Sequence, residues 1–389
     1  MEIKVTQQAA KRIRRGYPLL QKRDLLDPIK ENQWINFVDK QQNLVAKGYL
    51  GVQNNGVGWC LTTNDRPLDY AFFVELFFKA RKKRENYYQE EKTNAFRLLN
   101  GAGDHLGGVT IDKYADFAVV SWYNQTLYHK QEKIITAFKE VFPEIKGIYE
   151  KLRFPTDQSH SRLLWGKSAP EPLYIKENNI NYAVYLNEGL MTGIFLDQRE
   201  VRKLFAEGFA KDQDLLNMFS YTGAFSIAAA AGGANTTTNV DLAKRSLKKT
   251  QEQFLANQID LSKQTIHVMD TFAYFKYAKK KQLTFDCIIL DPPSFARNKK
   301  KVFRVAKDYG ELVRSSIAIL KDQGVIMASS NAANVTSKKF QNMIEKALQN
   351  ENVSYKLIKK FRLPQDFVVD SAYPAGDYLK VYFYQIKKD

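Results

Sequence analysis

From Leu190 onward, apolar residues fall in short blocks: DLLNMF (214–219), TTTNVDL (236–242), TIHVMD (265–270), FDCIILD (285–291), GVIMASS (324–330) and LKVYFYQI (379–386). Each block has the length of a strand, and helical stretches lie between most of them. Such alternation predicts an open α/β sheet with crossover helices. The pattern upstream differs. Residues 1 to 72 read as short strands broken by Gly and Asn, as in LVAKGYLGVQNNGVGWCLTT, with Asn54-Asn55-Gly56 placed as a hairpin turn. A small β-barrel is expected there. Phe73, Leu76, Phe77 and Ala80 recur at helical spacing and predict a helix from 73 to about 100. Ala95 to Asn124 reads as two strands around Gly-rich turns, 126–142 as helical and 145–186 as strands again. The expected organisation is a β-barrel over 1–72, a middle α+β domain over 73–187 and an α/β domain over 188–389.

Three consecutive strands of the last domain end in Asp: Asp241, Asp270 and Asp291. Packing does not ask for clustered carboxylates, which repel one another. In an open α/β sheet, ligands bind outside the carboxyl ends of the strands. The stretch DLLNMFSYTGAFSIAAAAGGA (214–234) reads as strand, small-residue turn and Ala-rich helix. Such a turn lets a ligand approach the backbone at a helix N-terminus. Phe219 to Phe225 is not a GxGxxG turn, which argues against a nicotinamide oxidoreductase. Asp241 follows the turn by about twenty residues, where a nucleotide site of this kind places a carboxylate for the ribose hydroxyls. After Asp291, Pro292 and Pro293 stop the strand, and Ser294 and Phe295 follow.

Charge narrows the partner. Lys and Arg number 59 against 42 Asp and Glu, a net charge of +17, which favours a polyanion such as nucleic acid. Seven Lys or Arg against two acids fall in the first 24 residues, Arg12, Arg14 and Arg15 among them. Arg297, Lys299 and Lys300 follow the Pro-Pro turn and are candidates for RNA phosphates. The 21 Tyr and 25 Phe suit base stacking, although most belong in a core. Cys60 and Cys287 form no CxxC, so neither a metal site nor a disulfide framework is expected. The N-terminus has no apolar signal-peptide core, and no apolar run approaches the roughly 20 residues of a membrane span. A cytoplasmic protein with no membrane association is expected.

Five stretches, in order, carry a resemblance: RLLNGAGDHLGGVTIDKYADFAVV, MTGIFLDQREVR, LLNMFSYTGAFSIAAAAGG, DPPSFAR and YPAGDYLK. The chain resembles class I S-adenosylmethionine (SAM)-dependent methyltransferases. More narrowly, it resembles the PUA-domain-containing large-subunit (23S) rRNA methyltransferases, whose best-known members act on cytosine C5. The resemblance implies a Rossmann-like catalytic sheet, an N-terminal PUA-like RNA-binding barrel and SAM as cofactor. It implies that Phe219, Tyr221, Thr222, Gly223 and Phe225 wrap the cofactor, that Asp241 binds its ribose and that Asp270 accepts from its adenine amino group. Asp197, Gln198 and Arg199 would close the site, Arg199 facing the cofactor carboxylate or an RNA phosphate. Asp291, Pro292, Pro293 and Phe295 would meet the target base, which must be unstacked to reach them.

One feature departs from that pattern. Methylation at cytosine C5 usually needs a cysteine thiolate to add at C6. The resemblance places that cysteine just after the strand that follows the DPP loop, where this chain reads GVIMASSNAANV, with Ser330 and Asn331. Transfer to a ring or exocyclic nitrogen needs only alignment of a lone pair with the methyl group. Cytosine C5, a purine nitrogen, and a non-catalytic RNA-binding ribosome-assembly role all remain open from sequence.

Overall fold

The computed structural model describes residues 1–28, 33–53, 56–297 and 302–388. The Asn54-Asn55 turn, Lys299, Lys300 and the side chain of Arg297 lie outside the described residues. The chain divides into two compact units: Met1–Ile175, Val184–Thr192 and Gln365–Gly376 form the first, and Lys176–Ala183, Gly193–Pro364 and Asp377–Asp389 the second.

The first unit opens with β1 (Glu2–Lys4), α1 (Gln7–Arg14), β2 (Leu19–Leu20), β3 (Gln33–Val38), β4 (Leu44–Gln53) and β5 (Gly56–Thr62). The five strands form one sheet in the order β1-β3-β4-β5-β2. Helix α1 is absent from the sequence expectation, which saw only strands here. Its apolar stripe is just Ala9, Ala10 and Ile13, all buried, and Thr6 caps it by accepting from the Ala9 amide at 3.2 Å. Helix α2 (Tyr70–Lys82) starts on an Asp69 cap, and the short α3 (Glu85–Tyr88) follows. A helix continuing to about residue 100 is therefore corrected. Arg84 is fully buried and turns back to donate to the Ala80 carbonyl at 2.9 Å, to Asp104 at 2.6 Å and to the Asp366 carbonyl at 2.7 Å. Those contacts cap the helix end, and the chain then enters β6 (Ala95–Asn100).

The unit continues through β7 (Val109–Tyr114), β8 (Phe117–Trp122), α4 (Gln125–Tyr128), α5 (Gln131–Val141), β9 (Gly147–Leu152) and β10 (Ser161–Gly166). These strands form a second sheet, β10-β9-β8-β7-β6. Tyr49, Trp59 and Leu61 of the first sheet share one apolar core with Phe73, Phe77, Val120 and Trp122. A hairpin of β11 (Leu173–Glu177) and β12 (Ile180–Val184) follows.

The second unit adds α6 (Arg199–Ala206), β13 (Asp214–Met218), α7 (Ala224–Ala231), β14 (Thr236–Asp241), α8 (Arg245–Leu255), β15 (Gln264–Val268), α9 (Thr271–Lys280) and β16 (Phe285–Leu290). It ends with β17 (Phe295–Arg297), β18 (Val302–Arg304), α10 (Val305–Ile317), β19 (Leu320–Ser330), α11 (Ser337–Gln349), β20 (Ser354–Phe361) and β21 (Lys380–Lys387). Among the described residues its main sheet has seven strands in the order β15-β14-β13-β16-β19-β21-β20. The first five run parallel, and β21 is antiparallel to both neighbours. All six apolar blocks read from the sequence are strands of this sheet. The unread strand is β20, SYKLIKKF, whose lysines suit an edge because they discourage pairing with another chain. Its core gathers Leu216, Met218, Ile288, Leu290, Ile326 and Tyr384. Among the described residues, no helix is long and apolar enough to cross a membrane.

Candidate functional site

The parallel strands β15, β14 and β16 bring Asp270, Asp241 and Asp291 to one rim, with the end of β13 between the last two. At the end of β13 the chain makes a strained turn. Phe219, Tyr221 and Gly223 take φ of 59°, 52° and 79°, left-handed values that non-glycine residues seldom adopt. The turn persists because its surroundings hold it. The Tyr221 amide donates to Asp241 Oδ2 at 2.9 Å, and the Ala243 amide donates to Oδ1 at 2.8 Å. Thr222 Oγ1 donates to the Gly193 carbonyl at 2.6 Å. Gly223 is required as glycine, since a Cβ there would lie 2.7 Å from Thr250 Cγ2. Burial raises the Asp241 carboxyl above its ordinary value, and the two amide bonds oppose that shift. The Phe219 ring lies 6.0 Å from Phe303. Phe225 faces the core instead, 6.1 Å from Phe205 and 5.9 Å from the Arg202 guanidinium. Asp270 caps α9 by accepting from the Ala273 amide at 3.1 Å.

Between Gly193 and Arg202 the chain supplies a second wall. Gln198 is buried, and its Nε2 donates to Asp291 Oδ1 at 3.2 Å and to Ser329 Oγ at 2.8 Å. Its Oε1 is buried without a hydrogen-bond partner among the described residues. Asp197 accepts from the Tyr378 hydroxyl at 2.9 Å. Arg199 is buried, with Glu200 3.5 Å away. Arg202 and Glu177 form a buried ion pair at 2.6 Å, and Arg202 also donates to the Phe195 carbonyl at 2.9 Å. That anchor fixes the segment carrying Asp197 and Gln198. The Phe195 ring lies 5.6 Å from Tyr221.

The third wall is the loop after β16. Tyr309 is buried, and its hydroxyl donates to the Leu290 carbonyl at 2.9 Å and the Ser329 carbonyl at 3.0 Å. It thereby ties together the ends of β16 and β19. Burial pushes the Asp291 carboxyl up to about 6; Asp197 adds to the shift, and the bonds from Ser329 and Gln198 oppose it. Pro292 is buried and Pro293 exposed, while Phe295 is 56% exposed. Ser294 Oγ donates to Asn331 Oδ1 at 2.7 Å.

The side chains that sequence reasoning named thus separate. Asp197, Gln198, Tyr221, Thr222, Asp241 and Asp291 join one connected set of walls through the bonds above. Phe225 packs away in the core and Asp270 serves a helix cap. Arg12, Arg14 and Arg15 belong to the first unit. Arg12 pairs with Asp24 at 2.9 Å and lies 4.7 Å from the Tyr17 ring; Arg14 pairs with Asp39 at 2.8 Å; Arg15 is exposed. Sequence reasoning missed Ser329, Tyr309 and Tyr378 as members of the site; Ser294 it had only as part of the DPPSF turn, without its bond to Asn331. Tyr378 carried a signal, since it lies in YPAGDYLK, and Ser329 lies in the GVIMASS block.

No thiol stands at the rim among the described residues. Ser330 is fully buried at the end of β19, and Asn331 is exposed beside Ser294. Cys287 is buried within β16 and burial pushes its thiol up to about 12; burial likewise raises Cys60. Such thiols are inert as nucleophiles near neutral pH. No group of three or more His, Cys, Asp or Glu side chains that could hold a metal gathers among the described residues.

Comparison with known proteins agrees with this geometry. Residues 124–383 match the S-adenosylmethionine-dependent methyltransferase family, and residues 3–63 match the PUA-like domain. The chain is 48% identical to the Bacillus subtilis protein named "Putative ribosomal RNA large subunit methyltransferase YwbD", covering 97% of this chain and 98% of that one. It is 29% identical to the ribosomal RNA large subunit methyltransferase I of Yersinia pseudotuberculosis, covering 89% and 88%. A solved structure described as "SMU.776, a putative methyltransferase complexed with SAH" superposes with a TM-score of 0.95 at 44% identity, over 99% of this chain and 100% of that one. With its rim of strand-end carboxylates and its strained turn after the first strand of the sheet, the chain belongs to the S-adenosylmethionine-dependent methyltransferase family: it is an enzyme that uses S-adenosylmethionine and carries a PUA-like domain at its N-terminal end.

Proposed function

We propose that this methyltransferase modifies a base of large-subunit ribosomal RNA in the cytoplasm, and that the acceptor is a nitrogen of a purine rather than cytosine C5. The relatives' names support rRNA as substrate, the 48% identical protein above all. The observation that carries the choice of atom is the rim itself. Buried Ser330 and exposed Asn331 stand where the family resemblance implies the C5 enzymes' cysteine, while both cysteines of the chain are buried inside strands. A buried serine hydroxyl that accepts from the Ala332 amide is a far weaker nucleophile than a thiolate, so the covalent route lacks its usual nucleophile.

The residues present fit the cofactor. Asp241 sits at a strand end with its carboxylate already oriented by two amides, suited to a pair of ribose hydroxyls. Gln198 Oε1, buried and without a hydrogen-bond partner among the described residues, is an acceptor suited to a donor of the cofactor. Arg199, being buried, suits the small carboxylate of the methionine moiety better than a phosphate of a polymer. When bound, the cofactor supplies an electrophilic methyl group on a sulfonium centre. The protein's part is to align the acceptor lone pair with that methyl and to exclude water. Asp291 and the backbone carbonyls of the Pro-Pro turn accept hydrogen bonds from the base edge. The exposed Phe295 ring offers a face for stacking.

An rRNA fragment containing 5-fluorocytidine tests the choice of atom. A C5 enzyme forms a stable adduct with it, visible as a shifted protein band. We expect methyl transfer to unsubstituted rRNA and no adduct with the fluorinated one. An adduct would restore the cytosine C5 reading.

A further inference from the structure

Lys380 belongs to the YPAGDYLK stretch and has no part in the site as described so far. It opens β21 opposite Ser330 of β19 and is 5% exposed. Its ammonium donates to the Ala332 carbonyl at 2.7 Å and the Val335 carbonyl at 2.8 Å. Lysine is seldom buried without a paired carboxylate, because stripping water from its charge is costly. Burial pushes the Lys380 ammonium down to about 8, only partly opposed by Asp377. The turn it touches does not need a cation for closure, since the Val335 amide already donates to the Ala332 carbonyl at 3.1 Å. What the ammonium adds is a fixed tie from a strand of the sheet to both carbonyls.

That turn leads back to the rim. The Ala332 amide donates to Ser330 Oγ at 3.3 Å, and Asn331, between them, accepts from Ser294 of the Pro-Pro loop at 2.7 Å. Two residues before Lys380, the Tyr378 hydroxyl holds Asp197 at 2.9 Å. Tyr378 and Lys380, at the entry to β21, therefore reach two walls of the site.

We propose that Lys380 is a positioning residue for methyl transfer: by holding the Ala332 and Val335 carbonyls it fixes Asn331, and through the Asn331–Ser294 bond it fixes the Asp291–Phe295 loop that presents the target base. This rests on the reading of that loop as the base-presenting one.

The test uses the full chain, labelled S-adenosylmethionine and rRNA from a strain lacking the gene. K380M is expected to lower kcat at least tenfold, with the Kd for S-adenosylhomocysteine within twofold of wild type. K380R, which keeps a donor, recovers most of the loss. N331A acts through the same link, so K380M and N331A together cost no more than the worse of the two alone. Wild-type kcat in K380M, or losses that multiply in the double variant, would overturn the proposal. Hydrogen exchange reads the link without RNA: the amides of Ser294 and Phe295 exchange faster in K380M and in N331A than in wild type. Unchanged exchange there in K380M refutes the positioning role whether or not rRNA is the substrate. Failure of the rRNA reading shows separately, as absence of label with the wild-type protein.

Discussion

Asp291 sits where burial and a neighbouring carboxylate, Asp197, act in the same direction. Its folded value of about 6 lies above the ordinary 3.8, so between those values the native protein holds a proton that the unfolded chain has released. This contribution to stability is full below about pH 4 and is lost as pH rises through 6. Asp291→Asn removes it. From pH 4 to 6.5, wild type should lose about 2–3 kcal/mol more unfolding free energy than the variant, read from urea titrations at the two pH values. Equal losses would mean that the carboxyl is not perturbed. The same variant should lower methyl transfer at least a hundredfold, because an amide offers the base a donor where a carboxylate only accepts. The three rim carboxylates were legible in sequence because a residue's place at a strand end is written in the local pattern. The pairs Gln198–Asp291 and Tyr378–Asp197 were not, for they join residues 93 and 181 positions apart that only folding brings together.

Among the elements, the segment leading into α6 depends most on one interaction. Arg202 and Glu177 are both buried, and Arg202 also holds the Phe195 carbonyl. Arg202→Met strands a buried carboxylate, with an expected cost of about 3–5 kcal/mol in urea unfolding. Arg202→Met combined with Glu177→Leu should recover much of that cost, since the stranded charge is the larger part of it. A double variant as unstable as the single would place the cost elsewhere. Blocks such as β13, β16, β19 and β21 could be read because central strands buried on both faces are nearly continuous in apolar residues. Helix α1 escaped notice because only Ala9, Ala10 and Ile13 mark its buried face. The end of α2 escaped because its cap, Arg84, is held by the carbonyl of Asp366, 282 residues away. Strand β20 escaped because a lysine-rich edge has little apolar signal.

For the whole molecule, the net charge of +17 is the broadest feature with a functional consequence. Arg12 and Arg14 are paired internally, with Asp24 and Asp39, which leaves the net excess unchanged. The surplus should still make RNA affinity steeply dependent on salt, with Kd rising at least tenfold between 50 and 200 mM monovalent salt in a filter-binding titration. A flat response would count against a polyanionic partner. The order of the sequence stretches pointed to the family, and for MTGIFLDQREVR, LLNMFSYTGAFSIAAAAGG, DPPSFAR and the end of YPAGDYLK the structural reason is now visible: each places a wall or a strap of one rim, whereas RLLNGAGDHLGGVTIDKYADFAVV builds β6, β7 and β8 of the first unit. The acceptor atom is the point on which the family pattern and the missing thiol part company. The direct measurement is to incubate the protein with labelled S-adenosylmethionine and rRNA from a strain lacking the gene, digest to nucleosides and identify the labelled one by mass spectrometry. The account predicts label in an N-methylated purine. Label in 5-methylcytidine would contradict it, and would mean that a rim with Ser330 and Asn331 in place of cysteine still activates C5.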